Sequence, residues 1–369
     1  MKVAPLSSIP SAALVPALNP VRPVTQVVGG ERLREMQRAV AGEAVAPGRL
    51  VEGPGRAQPG ARAPAALPPR VPQTEGQAVA QALRSALTRQ SGLAPLLADL
   101  GQALQTQVLS PQARAAALQL LSQLIPLDPK VGAAEIKRAL KQSGLFLESR
   151  LASHPDASPL GEDLKAALLV LRQTLGPSGQ RRPAGATPPP PYGGAPTSAQ
   201  PAAMPSLPAT AGGEVVAQAL AAETQGALAH LDLLQLASRP DRNHPDQPTR
   251  WMFETALQTP QGPGVAQFEI SRDPWHGARD GDRQPHWRAR FSVDFEPVGA
   301  VDAQISLEGD RVRVGLWVAR DAIARGLDDA QGRLRQRLAA AGLQLELAIH
   351  SGRAPEVTAA AGRLLDQSA

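Results

Sequence analysis

Histidines and carboxylates close together in a chain are the usual raw material of catalysis, and here they gather at Asp273, His276, Asp280, Asp282 and His286. Two imidazoles with acidic neighbours make the donor set of a metal centre. Nothing in the spacing forces both rings to one point, so no metal site is expected. The adjacent carboxylates Glu162 and Asp163 have the types needed for general acid–base work. They fall in the first turn of an expected helix, where the helix dipole and solvent explain them without catalysis. Gly262-Pro-Gly264 has neither a helix start nor a Lys after it and is not a phosphate loop. The run Arg279 to Arg290 with Trp287 has the composition of a single-strand nucleic-acid platform, but Arg288 and Arg290 fit the polar face of a strand. The absence of cysteine excludes disulfides, thiolate catalysis and Cys-ligated metals. The expectation is a protein without catalytic residues, cofactor, metal or nucleic-acid ligand.

The elements that carry these residues are legible from periodicity. Eight of the ten aromatic residues (Trp251, Phe253, Phe268, Trp275, Trp287, Phe291, Phe295 and Trp317) lie between 251 and 317, so the largest apolar areas are concentrated there. Ala289, Phe291, Val293 and Phe295 alternate with Arg288, Arg290, Ser292 and Asp294, the period of a strand with one wet face. Val301, Ala303, Ile305 and Leu307 repeat the pattern. Glu308-Gly309-Asp310 then signals a turn, and Val312, Val314, Leu316 and Val318 complete a hairpin. From Asp321, an N-cap candidate, Ile323, Leu327, Ala330, Leu334, Leu338 and Ala341 share one helix face. Asp328 and Asp329 come early, and Arg333, Arg335 and Arg337 late, as the helix dipole favours. Gly342 ends the helix, and Leu343, Leu345, Leu347 and Ile349 alternate as a last strand.

This order resembles the C-terminal domain of bacterial flagellar hook-length control proteins. The counterparts are the entry Phe295-Glu-Pro-Val-Gly299, the hairpin turn Leu307 to Arg311, the Leu-spaced helix Leu327 to Leu338 and the closing Gly342-Leu-Gln-Leu345. The entry has Phe where the family has Leu and is one residue shorter. Trp251-Met-Phe-Glu254 and Ala266 to Ile270 resemble an upstream strand pair found in some members. Ser143 to Arg150 and Asp163 to Leu168 resemble the N-terminal part of members from some lineages, read either as a length-measuring or docking element or as a helical spacer.

Outside this module the chain has 37 Pro and 33 Gly in 369 residues, too many for packed core throughout. Net charge is +5, with a pI near 10.2, which suits acidic partners or simply a solvated surface. Residues 1–74 are expected to be disordered and to carry an export signal, apart from a short helix from Glu31 to Val40. Pro5, Pro10, Pro16 and Pro20 interrupt the apolar run that a cleaved signal peptide needs, and no stretch has the length of a membrane span.

Residues 75–175 read as helices, with Ser110-Pro111, Asp128-Pro129 and Ser158-Pro159 as start signals and Gly144 as a stop. The stripe Leu118, Leu121, Leu124 and Ile125 belongs to one of them. Residues 176–212, with ten prolines including Pro188 to Pro191, read as an extended linker between two independently ordered parts. A leading helix over 214–237, carrying Val216, Leu220, Ala227, Leu231 and Leu234, then caps or precedes the C-terminal domain of 213–350. The loop Arg239 to Pro245 follows it, and 351–369 is a fraying tail. The fold class expected is therefore an α+β C-terminal domain of antiparallel strands packed with one amphipathic helix. It follows an all-α segment and long Pro/Gly/Ala-rich disordered regions.

The resemblance implies a type III export substrate, cytoplasmic before export and then secreted through the hook-basal body. It would report hook length and switch export from hook to filament subunits. Its partners would be the membrane-bound export-gate component and the hook and hook-cap subunits. It would act as a monomer that does not insert in the membrane. The contact residues expected are Phe295, Pro297, Val298 and Gly299 in the entry turn and Trp317, which either presents an aromatic ring on a polar face or packs under the upstream strands. A non-exported scaffold with a protein-binding α+β module is the alternative.

Overall fold

The computed structural model describes residues 75–127, 132–153, 162–177, 196–240, 248–273 and 286–354, which belong to one compact unit. The expectations for 1–74, Asp128-Pro129, Ser158-Pro159, Pro188 to Pro191, most of the loop Arg239 to Pro245, and 355–369 lie outside the described residues.

The first half is helical: α1 (Glu75–Arg89), α2 (Leu93–Thr106), α3 (Pro111–Leu121), α4 (Ala133–Gln142), α5 (Leu147–Ser153), α6 (Leu164–Leu175) and α7 (Gly213–Ala237). Leu93, Leu96, Leu97 and Leu100 recur at helical spacing and are buried, as are Leu164, Leu168 and Leu171. The Ser110 hydroxyl accepts a hydrogen bond from the Ala113 N–H at 3.2 Å, and Pro111 follows at the first helical position. α6 begins at Leu164, capped by Asp163. Gly144, at φ +90°, stands after the end of α4.

The apolar run through Ile125 is not all helix. α3 stops at Leu121, and Ile125–Pro126 forms a two-residue strand, β1, parallel to β2. Proline has no N–H to give to a second neighbour, which suits this edge position.

The second half is a seven-stranded sheet with strands in sequence order: β1, β2 (Thr249–Thr259), β3 (Gly262–Arg272), β4 (Trp287–Phe295), β5 (Gly299–Glu308), β6 (Arg311–Val318) and β7 (Gln344–Ser351). β2 to β6 are antiparallel neighbours, and the expected hairpin is present with Glu308 opposite Arg311 across Gly309-Asp310. Gly309 has φ +60°, a conformation costly for other residues. β7 returns parallel to β6 through α8 (Asp321–Ala340). Arg320, not Asp321, is the cap residue of α8, and its side chain makes no capping bond.

Alternation gives the sheet two unlike faces. One carries Phe253, Phe268 and Phe291 as a row across β2, β3 and β4, the first pair stacked with centroids 4.9 Å apart and the second tilted at 5.7 Å. α8 packs against β7. On β6, Val312, Val314 and Val318 are buried while Arg311 and Arg313 are exposed. The opposite face is polar along β4 to β7, and over β2 and β3 it meets the helices.

α7 precedes the C-terminal strands and packs against β2 as well as α1, α2 and α6, with its five predicted stripe residues buried. One expectation about organisation needs correction: the helices and the sheet are not independently ordered, because Met252, Ala256 and Val265 of the sheet share a single core with Leu97, Leu168 and Leu234. The same correction covers the end of the supposed linker. Residues 196–212 are seated between helices and sheet, where Asp99 accepts hydrogen bonds from the backbone N–H groups of Ser206 at 2.6 Å and Leu207 at 3.2 Å. A Pro-rich segment can be held this way because side chains from its neighbours supply the partners that its extended backbone lacks.

Candidate functional site

The sheet divides where the site lies. β3 and β4 pair from Arg272 and Trp287 as far as Gln267 and Ser292. Beyond that point β4 continues beside β5, and Gln200 takes its place next to Val265 through backbone bonds of 2.9 and 2.8 Å. The Ser198 N–H donates to the Gln267 side chain at 3.0 Å, and the Ser292 hydroxyl donates to the Thr197 carbonyl at 3.0 Å. The segment Pro196–Ala199 is thereby held as one wall of a cavity of about 450 Å³. Arg290, Ser292 and Asp294 of β4, Asp302 and Gln304 of β5, and Trp317 of β6 line it, with Arg353 and Ala354 beyond β7.

Trp317 is on the polar face and does not pack under the upstream strands. Its ring folds back over Gly315, where a Cβ would come within 2.9 Å of the indole Cη2. It stacks on His350 with centroids 5.3 Å apart and planes 22° apart. Gly315 serves here through its lack of a side chain. Asp302 accepts from the Ser292 hydroxyl and from the Ala354 N–H at 3.4 Å. Burial pushes the Asp294 carboxyl above the ordinary aspartate range, reinforced by Glu296 and Asp302 and opposed by Arg353 and Arg320. Among the described residues the Arg290 side chain has no hydrogen bond or ion pair.

The entry turn adjoins the groove. Phe295 pairs with Gly299 across a turn containing the cis Glu296–Pro297 bond. Arg320 clamps this turn: its guanidinium donates to the Pro297 carbonyl and pairs with Glu296 at 2.5 Å. Gly299, at φ +80°, is buried with Arg320 Nε 3.2 Å from where a Cβ would stand. The expected contact residues therefore separate. Trp317 lines the groove, Pro297 is exposed at the turn, Val298 is half-buried, and Phe295 points to the apolar face with Phe291 and Val293. Arg290, Asp294, Asp302, Gln304 and Arg353 were not singled out from the sequence as contact residues. The alternation that marked the first four as a polar face was the available signal, and nothing marked Pro196–Ala199 as their wall.

The other chemical candidates have structural roles. His286 and Asp273 do meet, at 2.8 Å, but Arg288 takes the same carboxylate oxygen at 3.1 Å, a cation where a metal would bind. His276, Asp280 and Asp282 lie outside the described residues. Glu162 accepts from Gln142 at 2.7 Å, and Asp163 caps α6 and pairs with Arg150 at 3.3 Å. Trp287 is stacked on Trp251 at 6.1 Å with Arg272 over its ring, so it is not a free base-stacking platform. Among the described residues no group of acidic or histidine side chains is arranged to hold a metal, and no helix is long and apolar enough to cross a membrane.

No curated protein and no solved structure matches the chain. Residues 276–356, which contain β4 to β7, α8, the entry turn and the groove residues from Arg290 to Ala354, match the family model described as flagellar hook-length control protein FliK, so the C-terminal region of this chain is similar to that family.

Proposed function

We propose that the chain is an exported substrate of the flagellar type III apparatus that measures hook length and then switches export from hook to filament subunits. The match over residues 276–356 carries this reading. In it, the protein is cytoplasmic before export and leaves through the hook-basal body as a monomer. Its C-terminal region contacts the membrane-bound export gate, and its N-terminal part meets hook and hook-cap subunits. It performs no chemistry of its own. The groove and the entry turn are the contact surface. A binding platform with a held wall and an aromatic floor residue is what a switch by contact requires.

Reach follows from chain length. About 210 extended residues span at most ~700 Å, and helices shorten this to about 1.5 Å per residue. The helices of residues 75–237 share a core with the sheet, so this reach is available only when the unit is unfolded in transit.

The test is electron microscopy of hooks from a strain lacking the gene. Overlong hooks without filaments are expected. Hooks of normal length bearing filaments would remove the reading and leave the non-exported scaffold.

A further inference from the structure

Three features of the groove bear on what it holds. The first is the placement of charge. Arg290, Ser292 and Asp294 lie on one face of β4, so the guanidinium and carboxylate ends of the row are four residues, or about 13 Å, apart. Arg290 lies opposite Gln304, Ser292 opposite Asp302, and Asp302 opposite Trp317. The aromatic ring, folded toward Gly315, therefore sits in the middle rows between a positive end and a negative end.

The second feature is which of these groups are already used. Asp302 is committed to the Ser292 hydroxyl and the Ala354 N–H. Glu296 and Arg320 are paired with one another. The Arg290 side chain makes no hydrogen bond or ion pair among the described residues, and the Asp294 side chain has no hydrogen bond or close ion pair there. Burial and the nearby Glu296 and Asp302 oppose charge on Asp294, while Arg353 and Arg320 favour it. A cation placed against Asp294 would relieve that opposition.

The third feature is the shape. The wall Pro196–Ala199 leads into Gln200, which pairs with Val265 as a strand residue would, and is fixed to Gln267 and Ser292. A space of about 450 Å³ beside such a wall, over a sheet, fits a few residues of an extended chain.

We propose that this groove binds an extended peptide segment of a partner protein, with an acidic residue at Arg290, a small apolar or proline residue on Trp317 and a basic residue four positions from the acidic one at Asp294. Residues at alternate positions of an extended chain face the same way, so the three side chains reach the floor together. The charge order then selects the direction of the peptide as well as its composition. This inference rests on the reading of the groove as the contact surface of the C-terminal region and adds the chemistry of what is contacted.

The test uses the full-length protein and a labelled nine-residue probe, Gly-Ser-Glu-Ser-Pro-Ser-Lys-Ser-Gly, with its charge-exchanged twin carrying Lys first and Glu second. Fluorescence anisotropy measures binding. The first probe is expected to bind at least about tenfold tighter than either its twin or a Gln/Gln version, with affinity falling as salt rises. The paired variant Arg290→Glu with Asp294→Lys is expected to reverse the preference, which a variant that merely failed to fold would not do. Trp317→Ala is expected to weaken both probes. Equal binding of the two probes, or binding of neither, would overturn the proposal.

The function reading is tested separately, by counting hooks and filaments in a strain carrying the charge-exchanged protein. Reversed peptide preference with normal hooks and filaments would leave the peptide site standing and remove its role in switching. Overlong hooks in a Trp317→Ala strain, with no charge preference in vitro, would do the opposite.

Discussion

His230 and Glu254 meet at 2.8 Å inside the protein, where neither side chain is more than 2% exposed. The other ring nitrogen of His230 lies 2.9 Å from the Gln90 side-chain oxygen. The Glu254 carboxylate also accepts from Gln200 at 3.0 and 3.1 Å and from Gln267 at 3.0 Å. One buried carboxylate thus joins α7, β2, β3, the residue after α1 and the Pro-rich segment. Such a group is tolerable away from water because its lone pairs are used.

Removing one partner of this set should cost far more than replacing it conservatively. His230→Ala leaves a carboxylate buried without its nearest partner and is expected to lower stability by about 3–5 kcal/mol. Glu254→Gln, which keeps acceptor and shape, should cost distinctly less. Urea unfolding of the two proteins decides this, and equal losses would show that the pair matters only through packing.

Gln200 holds the Pro-rich segment at both ends of its side chain, accepting from the Ala94 N–H at 3.2 Å and donating to Glu254. Gln200→Ala should cost about 1–3 kcal/mol. It should also speed proteolytic cleavage within 196–212 while leaving helix content by circular dichroism intact. Unchanged cleavage would mean that the backbone bonds to Val265 suffice to hold the segment.

Gly315→Ala puts a methyl group where the Trp317 ring lies. Overpacking of this kind costs about 1–3 kcal/mol. The displaced indole should lose its stacking on His350, giving a red-shifted tryptophan emission relative to the parent protein. In the proposed function the same variant produces overlong hooks. An unaltered spectrum would place the ring elsewhere in solution.

Asp163 gives a pH signature. Burial, its largest influence, raises the carboxyl above the ordinary range, against the Ala166 and Lys165 backbone bonds and the charge of Arg150. A raised folded value means that the fold binds the proton more tightly than the unfolded chain. The contribution is full below the unfolded pKa and is lost as pH rises through the raised folded one. Asn caps a helix as well as Asp and carries no charge. Asp163→Asn should therefore gain stability relative to the parent on going from about pH 4 to about pH 7. Asp163→Ala should lie about 1 kcal/mol below the Asn variant at every pH, for want of the cap. A difference between the Asn variant and the parent that stays constant with pH would contradict the assignment.

Two changes separate ruler from scaffold. Replacing residues 178–195 with a Gly/Ser linker of about nine residues is expected to shorten hooks. Removing Pro196–Gly212 is expected to destabilise the protein, because Gln200, Ser206 and Leu207 go with it. Hooks of unchanged length in the first strain would count against measurement by this part of the chain.

The strands and helix from Arg288 to Ile349 were legible in the sequence because each depends on a local rule. Period-two alternation, the Gly309 turn, helical Leu spacing and Gly342 act within a few residues of one another. The polar face holding Arg290, Ser292 and Asp294 was legible for the same reason. What local rules do not contain is which surface a face meets. Pro196–Ala199 reads as spacer by composition, and becomes a wall only because β4 leaves β3 after Ser292 and opens a backbone edge at Val265. Glu254 sits in a strand like any other charged residue until His230, Gln200 and Gln267, each from a different segment, close around it. Sequence by itself determined the elements and the two faces of the sheet. Tertiary structure alone decided that the helices, Pro-rich segment and sheet share one core, because burying a polar group requires partners that lie far away in the chain.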